Sequence, residues 1–166
     1  MKYLAALDLR LLRLLRTRGH TPATEAAAIR LAQSGENGFL WNALATLGGT
    51  LSSRRREDHV RAMEIVLVTL LLNTAVKYVV RRARPVLEEE LPALTPVLSG
   101  RSYPSAHAST SFAGARALAA AGLPGPPLHV VAAAMALSRP YLGVHYPSDV
   151  LAGALLGDAV ARLMTR

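Results

Sequence analysis

Long apolar runs that end at charged clusters make up most of this chain. The runs are rich in Ala, Leu and Val and do not alternate with polar residues, which indicates helices rather than strands. Five such runs lie at residues 38–51, 62–80, 106–123, 128–142 and 147–164. Because a membrane span needs about 20 apolar residues, the second run is the strongest candidate and the first the weakest. The pattern predicts an all-α, integral-membrane helical bundle with about five spans.

The N-terminal residues have a different pattern, typical of helices that lie on a membrane surface. In residues 4–16 one helical face carries leucines and another carries arginines. These leucines are Leu4, Leu7, Leu11, Leu14 and Leu15, and the arginines are Arg10, Arg13 and Arg16. Residues 21–34 begin with a helix-capping Thr-Pro pair. We therefore expect one domain over residues 1–166, with amphipathic interfacial helices at 1–34 and a transmembrane bundle at 38–164.

Short features between and within the runs predict how the helices connect and pack. The proline- and glycine-rich stretch at 122–127 allows only a tight turn, so its flanking helices should be antiparallel neighbours. Gly153 and Gly157 form a small-xxx-small pair that favours close packing within the bundle, with a homo-oligomer interface as the alternative. The acidic residues 88–90 are expected to form a solvated face.

Composition and charge narrow the classes of protein that fit. Of the 166 residues, 51% are apolar and 5% aromatic, and the net charge is +8. The basic residues lie at the ends of apolar runs without interleaved aromatic residues, so the expected partner is anionic lipid and not nucleic acid. The absence of cysteine excludes disulfides, a thiolate nucleophile and Cys-based metal sites. We expect no cleavable signal peptide, since charged residues interrupt the N-terminal apolar run.

The first group of candidate functional residues lies where the strongest predicted span ends. Lys77 and Arg84 are seven residues apart, which is about two helical turns, so both can project to one side. An ammonium and a guanidinium together suit a phosphate group. The alternative is that the basic cluster at 81–84 only marks the membrane boundary.

The second group, Pro104-Ser105-Ala106-His107, directly precedes a run of small residues. Pro104 fits the first helical position, which would leave the following N–H groups free to bind an anion. Ser105 adds a hydroxyl donor, and His107 could protonate a leaving oxygen. The alternative is a helix cap followed by a surface histidine.

The third group contains Arg139, His145 and Asp149. Pro147 fits a first helical turn, from which Asp149 can reach back to the imidazole of His145. The carboxylate would hold one ring nitrogen as N–H and leave the other free to attack. Arg139 adds a guanidinium for the charge that develops in phosphoryl transfer. The alternative is a polar turn in which His145 and Asp149 form a structural hydrogen bond.

If successive predicted spans cross the membrane in opposite directions, all three groups lie on one membrane face. Polar residues placed independently of one another would not be expected to converge in this way. Other polar residues inside the runs are expected to pair between helices. They are Glu64, Asn73, Arg116 and Asp158. Trp41 and Tyr3 could anchor the chain at the membrane interface.

The three groups resemble the signature of the type 2 phosphatidic acid phosphatase family, whose site is shared with vanadium haloperoxidases. The family pattern is Lys-x6-Arg-Pro, Pro-Ser-Gly-His and Ser-Arg-x5-His-x3-Asp. Its order and spacing are matched by residues 77–85, 104–107 and 138–149. One position departs from the pattern, because Ala106 replaces the family glycine. Its methyl group could narrow the substrate range, while the backbone N–H remains.

The resemblance implies a phosphoric monoester hydrolase that acts on membrane lipids without a metal or another cofactor. It implies that His145 is the nucleophile and forms a phosphohistidine, and that Asp149 orients it. It implies that His107 protonates the leaving alcohol and then activates water. The residues implied in phosphate binding are Lys77, Arg84, Ser105, Ala106 and Arg139.

The short chain and surface-type N-terminus are also similar to short actinobacterial phosphatases of decaprenylphosphoryl-5-phosphoribose, which serve cell-wall arabinan synthesis. Alternatives are a phosphatidylglycerophosphate or prenyl-pyrophosphate phosphatase, a phosphotransferase, a vanadate-dependent halide oxidase, or a non-catalytic lipid-phosphate-binding protein. The expected location is the bacterial inner membrane, as a multi-pass protein. Counting basic residues leans weakly towards a cytoplasmic active site.

Overall fold

The computed structural model describes residues 2–86, 92–97 and 99–166, and the acidic run at 88–90 lies outside this range. The described residues form seven α-helices and two short 3₁₀ turns, at 36–38 and 53–55. The helices are α1 (Lys2–Thr17), α2 (Pro22–Ser34), α3 (Phe39–Leu51), α4 (Arg56–Val80), α5 (Ala106–Ala120), α6 (Gly125–Tyr141) and α7 (Pro147–Met164). The predicted all-α bundle is therefore confirmed.

Helices α3 to α7 coincide with the five predicted apolar runs. Within the described part of the chain, Ser53–Val80 is the one helical segment long and apolar enough to cross a membrane by itself. Large apolar side chains are exposed on the outer faces of α4, α6 and α7, where a soluble protein would place polar groups. Examples are Leu67, Leu71, Leu137, Leu151 and Leu155.

Helix α5 is the centre of the bundle and packs against α4, α6 and α7. Its small residues let neighbouring backbones approach closely, and most of them are buried. The predicted glycine pair lies at this contact, because a Cβ atom at Gly153 or Gly157 would overlap the carbonyl oxygen of Ser105 or Ser109. Both glycines therefore serve packing within the bundle, as expected. Helix α5 covers the face of α7 on which an oligomer interface through this glycine pair would form.

Replacing Gly157 by alanine is expected to lower the thermal stability markedly. The new methyl group would push α7 away from the backbone of α5 at Ser109. Overpacking of this kind costs about 1–3 kcal/mol, which corresponds to a loss of roughly 2–12 °C in Tm for a chain of this length. Thermal unfolding in detergent measures the effect.

Gly125→Ala is the matched control, because a Cβ there makes an ordinary 3.5 Å contact with Ala119. Equal Tm values for Gly157→Ala and Gly125→Ala would contradict the close packing of α5 and α7.

Polar residues inside the helices pair across the bundle in two of the predicted places. Arg116 of α5 forms an ion pair with Asp158 of α7. The Asn73 amide of α4 donates to Ser109 Oγ at 2.8 Å. Glu64 is exposed on α4. Residues 121–124 join α5 and α6 as neighbours, which confirms the predicted tight connection, although residues 125–127 already belong to α6.

The expectation that Trp41 anchors the chain at the membrane interface is wrong. Trp41 is fully buried in the core, where its ring packs on Gly114 and its Nε1 donates to Ser111 Oγ at 3.0 Å. A glycine on α5 opens the space that the indole fills. Arg16, on the arginine face of α1, is buried against the bundle: it is 6% exposed, and its Nη2 donates to the Pro92 carbonyl oxygen at 2.9 Å.

Helix α1 therefore packs against the bundle through a buried face that carries two charged side chains and one leucine. Asp8, Leu12 and Arg16, spaced one turn apart, are buried, while Leu7 and Leu11 are exposed. The exposed leucines fit the predicted contact with a membrane surface. The buried face brings a carboxylate of α1 to the end of the bundle where the three predicted groups meet.

Candidate active site

The three groups predicted from the sequence meet around one cavity of about 470 Å³. The end of α4 and the loop after it, the start of α5, and the connection from α6 to α7 form its walls. The predicted site residues that line it are Lys77, Arg84, Ala106, His107, Arg139 and His145. The predicted convergence on one end of the bundle is thus confirmed.

His145 lies in the connection between α6 and α7 and is held on both sides of its ring. Its Nδ1 lies 3.5 Å from Asp149 Oδ2, and its Nε2 lies 3.2 Å from Arg84 Nη1. Since a guanidinium only donates hydrogen bonds, Nε2 is the acceptor and the proton belongs on Nδ1, facing the carboxylate. The unprotonated Nε2 is therefore the nitrogen that can attack, provided that Arg84 transfers its hydrogen bond to a phosphate oxygen.

The surroundings of His145 keep its imidazole uncharged. Burial lowers its pKa to about 4, the positive charges of Arg84, Lys77 and Arg139 act in the same direction, and the hydrogen bond with Asp149 opposes them. An uncharged imidazole at neutral pH is the nucleophilic form.

Asp149 is completely buried and fully used as a hydrogen-bond acceptor. Helix α7 begins at Pro147, as predicted, and Asp149 Oδ2 accepts from the Tyr146 N–H at 2.9 Å in its first turn. The same oxygen faces His145, while Oδ1 accepts from Arg82 Nη1 at 2.8 Å. These contacts fix the carboxylate that orients the imidazole.

Arg82 connects Asp149 to helix α1, a contact that the sequence did not predict. Its Nη2 donates to Asp8 Oδ2 at 2.8 Å, and its guanidinium lies 4.0 Å from the ring centroid of Tyr146. Asp8 also accepts from the backbone N–H and the hydroxyl of Ser148. Burial opposes the charged form of Asp8, but the hydrogen bonds from Arg82 and Ser148 hold its pKa below the ordinary value.

A weak sequence signal for this network exists. Arg82 lies inside the Lys77–Arg84 spacing, and Asp8 is an acidic residue in an otherwise apolar and basic helix. Neither observation identifies the partner of the other, because the two residues are 74 positions apart.

Three cations form an anion-binding wall. Lys77 Nζ donates to the Pro104 carbonyl oxygen at 2.7 Å, and Arg84 donates to the Val144 carbonyl oxygen at 2.7 Å. Arg139 is 3% exposed, and its Nε is buried without a hydrogen-bond partner among the described residues. A buried, unsatisfied guanidinium beside two further cations favours a phosphate ligand.

The start of α5 differs from its prediction by two residues. Pro104 is not the first helical residue, because Ser105 is the N-cap and the helix begins at Ala106. The Ser105 hydroxyl accepts from the Ala108 N–H, and the Ser105 N–H donates to the Asp149 carbonyl oxygen at 3.0 Å. The first helical N–H groups, those of Ala106 and His107, have no partner within the helix.

Ser105 and Ala106 therefore take different positions at the cavity. Ser105 is fully buried and caps the helix, so a hydroxyl contact with phosphate stays a prediction. Ala106 lines the cavity and presents the first N–H of the helix there. The methyl group that replaces the family glycine thus lies at the cavity wall.

His107 lies in the cavity wall opposite the α6–α7 connection. Its Nε2 lies 3.0 Å from the Ala32 carbonyl oxygen and 3.7 Å from a carboxylate oxygen of Glu36. Because a carbonyl only accepts hydrogen bonds, Nε2 carries a proton, and Nδ1 is the nitrogen that can exchange one. The cavity therefore brings together an unprotonated imidazole nitrogen, a wall of cations and a second histidine, which are the kinds of group that phosphoryl transfer needs.

Curated proteins of known activity are similar to most of this chain. The decaprenylphosphoryl-5-phosphoribose phosphatase of Mycobacterium tuberculosis strain H37Rv is 40% identical, over 86% of this chain and 80% of the relative. The enzyme of the same name from Mycolicibacterium smegmatis is 36% identical, over 80% and 72%. The undecaprenyl-diphosphatase of Sulfolobus acidocaldarius is 33% identical, over 66% and 55%.

Solved structures share the fold over nearly the whole chain. Aquifex aeolicus LpxE superposes with a TM-score of 0.80 at 26% identity, covering 95% of this chain and 94% of its own. The transmembrane PAP2 type phosphatidylglycerolphosphate phosphatase of Bacillus subtilis also has a TM-score of 0.80, at 23% identity, covering 99% and 85%. The helical fold agrees with the sequence prediction.

The superfamily match covers the part of the chain that carries the three groups. Residues 59–166 match the PAP2 superfamily, and the curated relatives are named as phosphatases. The predicted family and enzyme class are confirmed. With a match over more than half of its length and 40% identity to a relative over most of it, this chain belongs to the PAP2 superfamily.

Proposed function

We propose that this protein hydrolyses a phosphomonoester on a membrane lipid through a phosphohistidine at His145. The position of that residue is the main support, because its unprotonated Nε2 faces the cationic cavity while Asp149 holds Nδ1. The proposed substrate is decaprenylphosphoryl-5-phosphoribose, the compound in the names of two curated relatives.

In the proposed first step, His145 Nε2 attacks phosphorus and the bond from phosphorus to the C5 oxygen of ribose breaks. The leaving oxygen takes a proton from His107, and Asp149 stabilises the positive charge on the phosphorylated imidazole. Lys77, Arg84 and Arg139, with the N–H groups at the start of α5, bind the phosphoryl oxygens. The bond from phosphorus to His145 Nε2 is the one covalent bond between substrate and protein that forms in this step.

In the second step, water attacks the phosphohistidine. His107, deprotonated by the first step, accepts a proton from the water, the P–N bond breaks and inorganic phosphate leaves. His145 returns to its uncharged form, with Nδ1–H facing Asp149. Both histidines therefore end each cycle in the state in which they began it.

We further propose that α3 to α7 cross the bacterial inner membrane and that α1 and α2 lie at its surface. The exposed leucines of α4, α6 and α7 would contact lipid tails, and those of α1 would contact the interface. The cavity then opens beside the surface helices, where a lipid headgroup resides.

Phosphate release from a panel of lipids tests the proposed function. The purified full-length protein in mixed micelles is expected to hydrolyse decaprenylphosphoryl-5-phosphoribose at least about tenfold faster, in kcat/KM, than competing lipids. The competitors are decaprenyl diphosphate, phosphatidylglycerophosphate and phosphatidic acid, all assayed with EDTA present. A preference for the diphosphate would contradict the proposed substrate, and no release from any of the four would overturn the phosphatase assignment.

A further inference from the structure

A turn outside the superfamily match forms one wall of the active-site cavity. Gly35, Glu36 and Asn37, between α2 and α3, line the cavity together with His107 and Arg139. The turn precedes residue 59, where the superfamily match begins. Proteins that share a fold and a catalytic centre differ in the segments around that centre, and these segments determine which substrate each protein accepts.

The turn is wedged into the bundle, so its side chains have a defined position. A Cβ atom at Gly35 would lie 3.0 Å from the His107 ring, and one at Gly38 would lie 2.6 Å from Val66. Asn37 adopts the left-handed conformation with a φ of 51°, which asparagine tolerates better than most residues. Both ends of the turn are therefore fixed while Glu36 and Asn37 face the cavity.

Glu36 gives this wall a charge opposite to that of the rest of the cavity. Among the described residues that line the cavity it is the acidic one, and the others that carry charge are cations. These cations are Lys77, Arg84, Arg101 and Arg139. A carboxylate repels a second phosphate group and accepts hydrogen bonds from hydroxyl groups.

Glu36 lies on the leaving-group side of the site. Its carboxylate oxygen is 3.7 Å from Nε2 of His107, the residue that we propose to protonate the leaving oxygen. In an in-line displacement the leaving group departs on the side opposite the attacking His145. The scissile oxygen must then meet Nδ1 of His107, so it is the remainder of the leaving group that reaches the cavity wall formed by Glu36 and Asn37 at the Nε2 edge of the ring.

We propose that Glu36 and Asn37 form a subsite for the hydroxyl groups of an uncharged sugar that carries the scissile oxygen. In this subsite Glu36 also disfavours a leaving phosphate, as a prenyl diphosphate would produce. In both kinds of substrate a P–O bond breaks and the leaving oxygen keeps its electron pair. The group next to that oxygen, beside the carboxylate, is an uncharged sugar in the phosphoribosyl lipid and the anionic phosphate of the departing prenyl phosphate in the diphosphate. The assignment rests on the proposed function for the identity of the reacting groups.

Two substitutions separate charge from hydrogen bonding. Glu36→Gln removes the charge at constant size and is expected to raise kcat/KM for decaprenyl diphosphate about tenfold relative to decaprenylphosphoryl-5-phosphoribose. Asn37→Gly keeps the left-handed backbone and removes the amide, so it should lower kcat/KM for the phosphoribosyl lipid more than kcat/KM for the diphosphate. Glu57→Gln, an exposed residue at the start of α4, is the control and should not change the ratio. Equal effects of Glu36→Gln on both lipids would overturn the subsite.

A binding measurement keeps this test independent of turnover. Ribose 5-phosphate and pyrophosphate are titrated calorimetrically into His145→Ala protein with and without Glu36→Gln. The subsite predicts that Glu36→Gln shifts the preference about tenfold towards pyrophosphate, even if the wild-type protein hydrolyses neither lipid and the proposed function fails. An unchanged preference would overturn the subsite even if the phosphoribosyl lipid proves to be the substrate.

Discussion

Phosphate release by the His145→Ala variant is expected to fall by about 10⁴-fold or more, the loss typical of removing a nucleophile. Nε2 is the nitrogen placed to attack, because Asp149 faces Nδ1 and Arg84 donates towards Nε2. Alanine removes both nitrogens and leaves the cationic wall in place. The loss should therefore appear in kcat, while binding of inorganic phosphate, measured calorimetrically, stays within a few-fold of that of the wild-type protein.

Trapping the intermediate distinguishes a nucleophile from a binding residue. Acid-sensitive, base-stable phosphate label should appear on the wild-type protein after rapid quenching and be absent from His145→Ala. His107→Asn provides the complementary case: with an activated aryl phosphate that needs no proton on its leaving group, label should accumulate because water attack is slowed. Label on His145→Ala, or residual turnover above about 1% of the wild-type rate, would contradict the assignment of the nucleophile.

The sequence predicted those parts of the site that depend on short-range spacing. His145 and Asp149 are one helical turn apart, and Pro147 starts the helix that joins them, so local geometry determines their contact. Lys77 and Arg84 also belong to one segment. The alternation of apolar runs and tight turns then brings the helix ends together, because antiparallel neighbours place every second end on the same side.

Contacts between distant segments could not be predicted in the same way. The pairing of Asp8 with Arg82 depends on how α1 docks, and the leucine pattern of α1 indicated a membrane face but not which polar residues turn inwards. A tryptophan at position 41 is compatible with a membrane interface and with a protein core. It lies in the core because Gly114 leaves space for its ring, which the sequence pattern does not reveal. Glu36 carries no signal in the sequence, since a single acidic residue in a turn is ordinarily solvated.

The network around Arg82 leads to the second large effect. Arg82→Ala leaves Oδ1 of the buried Asp149 without its charged donor and breaks the link to Asp8. Loss of a group that orients a catalytic carboxylate typically costs 10- to 100-fold, and we expect a fall in kcat of about 100-fold. Asp8→Asn, which keeps an acceptor for Arg82 but removes the charge, should cost less.

The pH profile separates this role from a general loss of structure. Without the Arg82 guanidinium, the negative charge of Asp149 is no longer offset by a bound cation. It then favours the protonated form of His145 more strongly, so the pKa of His145, about 4 in the wild-type protein, should rise. Because the protonated imidazole cannot attack, the acid limb of kcat/KM in Arg82→Ala should move to higher pH than in the wild-type protein assayed with the same lipid. Arg81→Asn is the matched control, because Arg81 is exposed and has a φ of 54° that asparagine tolerates. Among the described residues, its side chain donates only to the nearby Tyr78 carbonyl oxygen. A rate loss that is equal at every pH, or one shared by Arg81→Asn, would show that Arg82 supports the fold and does not position Asp149.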